Sequence, residues 1–454
     1  MGNLMHTLET AKNTLLNTQV SIQTTSHNIA NAENPNYARQ KAVVQTSGAY
    51  RARPGWIGMG ARVEQVVQLR DHFIEQRLHE SVSHMAHHDT LASQLRTVSN
   101  HLLDDGAGGM SQILGNFWDS WEALQKNPMG LAERENVNQA AQGMVDAFNT
   151  RSGDLERLVQ GVEGEIQLLA GSSEKEKGVV EGLLSDLAVL NRQVRLAETP
   201  AHPANDLRDQ RYQVLHELSE HLPLAHMEEK NGFVTVRLST SEGPVALVDG
   251  ETHASLKYEE GQLRVMGAEG GWMTVDLEHA AGGSLSGLFE AKGVIQDIQG
   301  RLATFAGSFA QGVNEELPDE CPPIFALQEE TGEWSFSGAF WSHFDPNPIQ
   351  DMTDLASRMV ALHDAPRADL ENATFSDYLG NVQRHMGLLQ RDAEVKGDFY
   401  RALKTELKGQ QQFVSGVNLD EEMVDILRNQ QVYQAAAKII QRTDELLSTV
   451  INMV

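Results

Sequence analysis

Both ends of this chain place an apolar residue at every seventh position. Near the start, Met1, Leu8, Leu15, Ile22 and Ile29 fall seven residues apart. Leu4 and Ala11 open a second such row, which Thr18 and Thr25 continue with polar members. Near the end, Leu419, Ile426, Tyr433, Ile440, Leu447 and Val454 keep the same period. Met423, Ala437 and Ile451 lie four residues after three of these, while Gln430 and Asp444 interrupt. A seven-residue repeat draws one apolar stripe along a helix and favours supercoiling with a partner. The plainer reading is an amphipathic helix lying on a globular core. Chain ends ordinarily fray, yet both ends share one period here. That favours helices that pair with each other or with neighbouring copies.

The first helix is expected to stop before Pro35, because a residue preceding proline avoids the helical region. Residues 38–69 read as extended, with valine-rich runs at Lys41–Gln45 and Ala61–Leu69. Pro54-Gly55 and Gly58-Met59-Gly60 punctuate them as turns. Helical spacing returns from Asp71 to Arg195, with breaks at Asp104–Gly109 and Asn127-Pro128. Pro200–Pro203 is a loop, and Asn205 reads as a cap for the next helix. Residues 222–285 are β-rich at Phe233–Leu238 and Val245–Val248. Asn231-Gly232, Asp249-Gly250 and Gly270-Gly271 supply hairpin turns there. Helical pattern resumes near Leu285 and runs to Glu316. Residues 320–350 are irregular and carry Trp334, Phe336, Phe340, Trp341 and Phe344, read as packing this loop onto the body rather than as an exposed patch. A helical tail runs from Asp351 to Val454, broken at Val414–Val417.

The expected fold class is mainly α with inserted β. It has long terminal coiled-coil helices, a helical-bundle arm formed by N- and C-terminal segments, and a small antiparallel β domain inserted in the middle. The expected division puts residues 1–70 and 400–454 in a terminal coiled-coil and extended assembly segment. Residues 71–221 and 286–399 form the helical arm, with the irregular loop 320–350, and 222–285 form an outer β domain.

Charge narrows the function. The 454 residues carry 63 Asp and Glu against 36 Lys and Arg, a formal net charge of −27. Such a chain repels phosphate backbones, so no nucleic acid is expected as partner. No run approaches the length of apolar residues that spans a bilayer, so no membrane insertion is expected. The first sixteen residues, MGNLMHTLETAKNTLL, lack the continuous apolar stretch of a cleaved signal peptide. His6 stands where myristoylation after Gly2 needs Ser or Thr. The single cysteine, Cys321, excludes an intramolecular disulfide framework.

His216-Glu217 with His221, and His79-Glu80 with His84, spell HExxxH. A zinc protease needs HExxH, which sets both imidazoles on one helical face. The longer spacing turns them roughly 140° apart. His84, His87 and His88 do share a face, and are expected as a solvated helix surface rather than a metal site. Gly58-Met59-Gly60 and Gly106–Gly109 read as turns, since neither GxxxxGK[ST] nor GxGxxG is complete. No catalytic residue, metal ligand or cofactor site is assigned; the expectation is a structural protein and not an enzyme.

A resemblance then enters through particular segments. Ser26-His27-Asn28-Ile29-Ala30-Asn31-Ala32-Glu33-Asn34-Pro35-Asn36-Tyr37-Ala38-Arg39-Gln40 resembles the signature after the first helix of flagellar rod, hook and hook-associated proteins. Asn34 stands where threonine is usual and Asn36 where glycine is usual. The Tyr-x-Arg-Gln extension, Asn205–Arg211 with Ala204 in place of proline, and Ser415–Met423 followed by Gln430–Lys438 point to the hook-associated group. Asp71-x-Phe73-x-x-Gln76 and Gly282–Leu285 through Val313-Asn314 fit as well, while Gln68 stands where arginine is frequent.

The resemblance implies a secreted, extracellular subunit of the flagellum, exported unfolded by the type III export apparatus. It implies assembly with itself into a ring of about eleven copies at the hook tip. The ring would contact hook protein and the next hook-associated protein, and join hook to filament. Leu8, Leu15, Ile22, Ile29, Leu419, Ile426, Tyr433, Ile440, Leu447 and Val454 are the expected self-association residues. Ile426, Tyr433, Ile440 and Leu447 are also the expected contacts of a cytoplasmic export chaperone. The competing readings are another axial rod or hook subunit, and a secreted enzyme on a flagellin-like frame.

Overall fold

A computed structural model describes residues 2–452, apart from 53–54, 103–108, 174–175, 200–201, 230–231, 239–242, 267–270, 278–279, 281, 319–320, 329–330 and 345–347. Met1, Val454, Pro54, Asn231, Gly270 and most of the expected break at 104–109 lie outside the described residues.

Helix α1 (Gly2–Ala30) ends five residues before Pro35. The valine-rich runs become strands β1 (Gln40–Thr46) and β4 (Ala61–Gln68), paired antiparallel with a register shift between Val43 and Val44. The hairpin β2 (Ala49–Ala52) and β3 (Gly55–Gly58) continues beyond them.

Helix α2 (His72–Leu102) runs antiparallel to α9 (Phe375–Ser415). Ser81 Oγ donates to the Tyr400 carbonyl at 3.1 Å, and Gln411 near the end of α9 reaches Glu75 near the start of α2 at 2.9 Å. Helix α7 (Gly283–Glu315) also packs against α2. Gly287 makes that approach possible, because a Cβ there would sit 2.5 Å from the His87 carbonyl oxygen.

The arm is completed by α3 (Met110–Lys126), α4 (Leu131–Ala170), α5 (Val179–Ala197), α6 (Asn205–His221) and α8 (Pro348–His363). Its core holds Phe117, Trp121, Phe305, Phe309 and Phe375, all fully buried. Large aromatic rings remove the most apolar area per residue and set helix spacing through edge-to-face contacts, as Phe117 and Phe309 do at 5.1 Å.

Between α6 and α7 lie two antiparallel sheets. One has the order β5 (Leu224–Glu228), β6 (Val234–Leu238), β7 (Val245–Asp249), β8 (Thr252–His253). The other pairs β9 (Leu256–Glu259), β10 (Gln262–Met266) and β11 (Trp272–Val275). The turn glycines Gly232 and Gly250 have φ of 84° and 58°, as their hairpin signals require. The inner residues Val236, Leu238, Leu263 and Val265 join the same continuous core as the helices. Buried Asn191 of α5 pins β6 by donating to the Val234 carbonyl at 2.9 Å and accepting from its N–H at 3.1 Å.

Asn205 is not a side-chain cap: Ala204 holds the cap position, and the Asn205 amide donates to the Val66 carbonyl of β4 at 2.9 Å. Tertiary contact outcompetes the local turn. The aromatic loop does pack onto the body. Phe340 is buried, Trp334 exchanges two hydrogen bonds with Asn149, and Trp341 Nε1 donates to Asn138 at 2.7 Å. The Phe344 side chain lies outside the description. Among the described residues, no helix is long and apolar enough to cross a membrane.

Candidate assembly interface

The last turn of α1 and the first turn of α10 (Leu419–Asn452) meet at one buried amide. Asn28 donates to the Gln40 carbonyl at 2.9 Å and to Glu422 Oε2 at 3.1 Å. Its Oδ1 accepts from the Gln40 N–H at 2.9 Å and the Tyr37 hydroxyl at 2.7 Å. Buried Glu422 also takes Arg39 Nε at 2.6 Å, while Arg39 Nη1 reaches Glu421 at 2.8 Å. Burial works against the Arg39 charge, but Glu422 and Glu421 hold its pKa above the usual arginine value. The Arg39 N–H donates to the Ser415 carbonyl at 2.8 Å, tying in the turn between α9 and α10. One side chain in the Ser26–Gln40 segment thus joins residues 394 apart in sequence.

A second buried group adjoins it. Arg70 bridges Glu75 at 2.7 Å and Asp209 at 2.8 Å, with its guanidinium 4.0 Å from the Tyr212 ring centroid. Burial pushes Asp209 up to about 6 against the pull of Arg70. Gln40 Nε2 donates to Asp206 at 3.1 Å. The Asn205–Arg211 segment therefore faces the Ser26–Gln40 segment across the head of the arm. Asn28, Asp209 and Glu422 fall within the motifs read from sequence, but those motifs give them no partner, and Glu75 is a named residue in none, because a polar residue gives no sign of a partner hundreds of positions away.

Since the end of α1 meets the start of α10, the two helices pair antiparallel. Beyond Asn28 and Glu422, their buried positions are small or polar: Ala11, Thr18, Thr24 and Thr25 on α1, and Ala436 and Thr443 on α10. Ala11, Thr18 and Thr25 keep the seven-residue step, as do Ala436 and Thr443. The hydroxyls turn back onto their own helices, Thr18 to the Thr14 carbonyl at 2.7 Å and Thr443 to that of Ile439 at 2.8 Å. At Thr18 and Thr443 this leaves the methyl groups for the seam. The larger stripe residues Leu8, Leu15, Ile22, Ile29, Ile426, Ile440 and Leu447 are half-buried at its flanks. Leu419 and Tyr433 are exposed, and Val454 lies outside the described residues. Further apolar side chains point outward: Met5 and Leu16 on α1, and Met423, Val424, Leu427, Val432, Ile439, Leu446 and Ile451 on α10. Val432, Ile439 and Leu446 form a second seven-residue row, one position before the row read from sequence. The sequence alone does not mark this row as the outer one, because a helix with two apolar rows does not say which one its partner takes.

The histidines correct one expectation. His84, His87 and His88 are not a solvated face, because α2 is covered by both α7 and α9. His87 is buried, with Nδ1 3.1 Å from Ser286 Oγ and Nε2 2.9 Å from Glu290. His84 and His88 stack on Tyr400 at 4.6 and 5.8 Å. Burial, then His87, lowers His88 to about 4. The two HExxxH segments meet each other instead of closing on themselves: His79 lies 5.8 Å from His216 and 5.1 Å from His226 of β5. Burial, reinforced by those two rings, holds His79 far below the usual histidine range. Among the described residues, no group of three or more His, Cys, Asp and Glu is arranged to hold a metal ion.

A helical arm joined to a pair made of the chain's first and last helices, with apolar rows turned outward along that pair, defines a structural subunit built around its joined termini. Residues 95–318 match the family profile described as the flagellar hook-associated protein FlgK helical domain. Residues 410–453 match that of the flagellar basal body rod FlgEFG protein C-terminal. Flagellar hook-associated protein 1 of Bacillus subtilis is 23% identical, with 98% of this chain and 97% of that protein covered. The Escherichia coli protein of the same name is 22% identical, covering 96% and 97%. The Salmonella typhimurium one is 28% identical over 52% of this chain and 41% of its own length. The solved flagellar hook junction protein FlgK from Burkholderia pseudomallei aligns with a TM-score of 0.48 at 20% identity, over 56% of this chain and 47% of that one. The chain belongs to the flagellar hook-associated protein 1 family and is a structural component of the bacterial flagellum.

Proposed function

We propose that this protein is the junction subunit between hook and filament, assembling with itself into a ring of about eleven copies at the hook tip. The observation that carries the reading is the outward apolar face of the terminal helix pair. Residues such as Val424, 63% exposed, and Ile451, 64% exposed, have no cover within the chain. An apolar row of this length on a helix is normally covered by a partner. Copies of the same pair, packed around a channel, supply that cover. Leu8, Leu15, Ile22, Ile29, Leu419, Ile426, Tyr433, Ile440, Leu447 and Val454 belong to this interface, some through the seam and some through the outer face. Hook protein and the next hook-associated protein are the axial partners. Residues 1–70 with 400–454 act as the assembly segment, 71–221 with 286–399 as the arm, and 222–285 as an outer β unit.

Export through the type III apparatus completes the reading. In the cytoplasm a chaperone holds Ile426, Tyr433, Ile440 and Leu447. Ile426, Ile440 and Leu447 flank the seam with α1 in the folded chain. Chaperone and α1 therefore compete for one side of α10, which keeps the terminal pair open until export.

Val432→Asp with Ile439→Asp tests the ring. Both residues lie on the outer face, so the monomer is expected to keep its circular dichroism and thermal midpoint. In a strain lacking the gene, the wild-type chain should restore filaments. The double variant should leave hooks bare and release flagellin into the medium. Normal filaments with the double variant, or in the deletion strain itself, reject the reading.

A further inference from the structure

A cleft of about 650 Å³ opens between the loop 31–37, the start of α2, α6 and the end of α9. Its chemistry is unusual for a chain of net charge −27. Lys404 and Lys408 stand one turn apart on α9 and both line it. Neither has an ion-pair or hydrogen-bond partner among the described residues. Arg70 and His79 line the same cleft, and both side chains are more than nine-tenths buried. Each keeps a buried nitrogen with no partner, Arg70 Nε and His79 Nδ1. Buried polar groups are almost always bonded, and Arg70 Nε, which can only donate, needs an acceptor.

Two of the three carboxylates that line the cleft are already engaged. Glu75 is already held by Arg70 at 2.7 Å and by Gln411 at 2.9 Å, and Glu421 by Arg39 at 2.8 Å. Glu33 sits exposed on the loop. The lysines are close enough to disfavour protonation of His216, behind the larger effect of its burial. Two ammonium groups, the Arg70 guanidinium and the His79 and His216 imidazoles line a space whose carboxylates are already paired or, at Glu33, exposed on the loop. That is the complement of an oxyanion.

We propose that this cleft is a binding site for an oxyanion, held by Lys404 and Lys408 against the Arg70–His79 wall. The group comes either from a free ion such as inorganic phosphate or from an acidic side chain of a neighbouring copy. Only the second source rests on the ring reading above.

The test uses the full-length monomer and inorganic phosphate, against sodium chloride at matched ionic strength. The imidazole resonances of His79 and His216 are followed by NMR. A saturable shift is expected, with a rise in the apparent pKa of His216. Lys404→Ala with Lys408→Ala, at two surface positions, should weaken phosphate binding about tenfold or more, equivalent to 1.4 kcal/mol. Assembled material separates the sources. If a neighbour's carboxylate fills the cleft, assembly abolishes phosphate binding and the double variant assembles poorly. If a free ion is the ligand, phosphate binds monomer and assembly alike. Absence of a saturable shift in the wild-type monomer, or equal binding by the double variant, overturns the site. A chain that binds phosphate but never forms rings keeps the site and loses the ring.

Discussion

Asn28 is the residue on which the terminal module turns. Its amide makes four hydrogen bonds, two of them to the backbone of Gln40. No other side chain of that size offers a donor and an acceptor in this geometry. Asn28→Ala should cost about 2–3 kcal/mol, because it strands buried partners rather than merely deleting a contact. The loss is read as a lower midpoint in denaturant, with faster amide exchange across residues 31–40. An unchanged midpoint would remove the node from the account of stability. The Ser26–Gln40 segment was legible as a signature, but its physical purpose was not. Glu422 and Asp206, which complete it, lie in helices that the sequence places far away.

Among the elements, α2 shows what a helix must give up to be packed by two others. Its contact with α7 depends on Gly287, where a Cβ would meet the His87 carbonyl at 2.5 Å and the Thr90 Cβ at 3.2 Å. Gly287→Ala should push the helices apart and cost about 1–3 kcal/mol, despite the better helix propensity of alanine. A thermal midpoint at or above wild type would show that the pair can relax. The same packing keeps the His84, His87 and His88 face from being the solvated surface their spacing suggests. Their spacing shows that they share a face, but not that two helices cover it. The terminal helices teach the complementary lesson. Their period was legible, and Ala11, Thr18 and Thr25 were noted as a second row. That the small row is the buried one was not legible, because the larger side chains carry the stronger apolar signal. Close approach of two backbones favours alanine and threonine methyls, which the periodicity alone ranks last.

At the scale of the molecule, acidification should loosen the arm and its joint with the termini. His79, His84, His88, His216, His221 and His226 all have pKa values below the usual histidine value, in each case first through burial. The unfolded chain takes up protons at these groups near pH 6.5, about the value of a free histidine, where the native chain does not. Stability is therefore full above that pH and falls as pH drops toward the native values. Asp209 acts the other way. Raised to about 6, it takes its proton first in the native state and adds stability as pH falls below that. Six histidines outweigh one aspartate, so the thermal midpoint should be lower at pH 5.5 than at pH 7.5, by about several degrees. His79→Leu should flatten that slope. A midpoint that rises on acidification would show that Asp209 and the acidic surface dominate.

The terminal helices, the β-rich middle, the breaks near Pro35 and Asn127, and the aromatic loop followed from the sequence alone. Periodicity, turn chemistry and proline are local, and local physics reads them. The tertiary structure alone decided which face of α10 turns inward and which stays open. It also brought Asn28 to Glu422, Arg70 to Asp209, and His79 to His216. Those pairings depend on how the arm doubles back along α9 to set the end of α10's partner beside its start. The two terminal stripes are thus one antiparallel pair with a small-residue seam and an apolar outer face, which no pattern within either helix could specify.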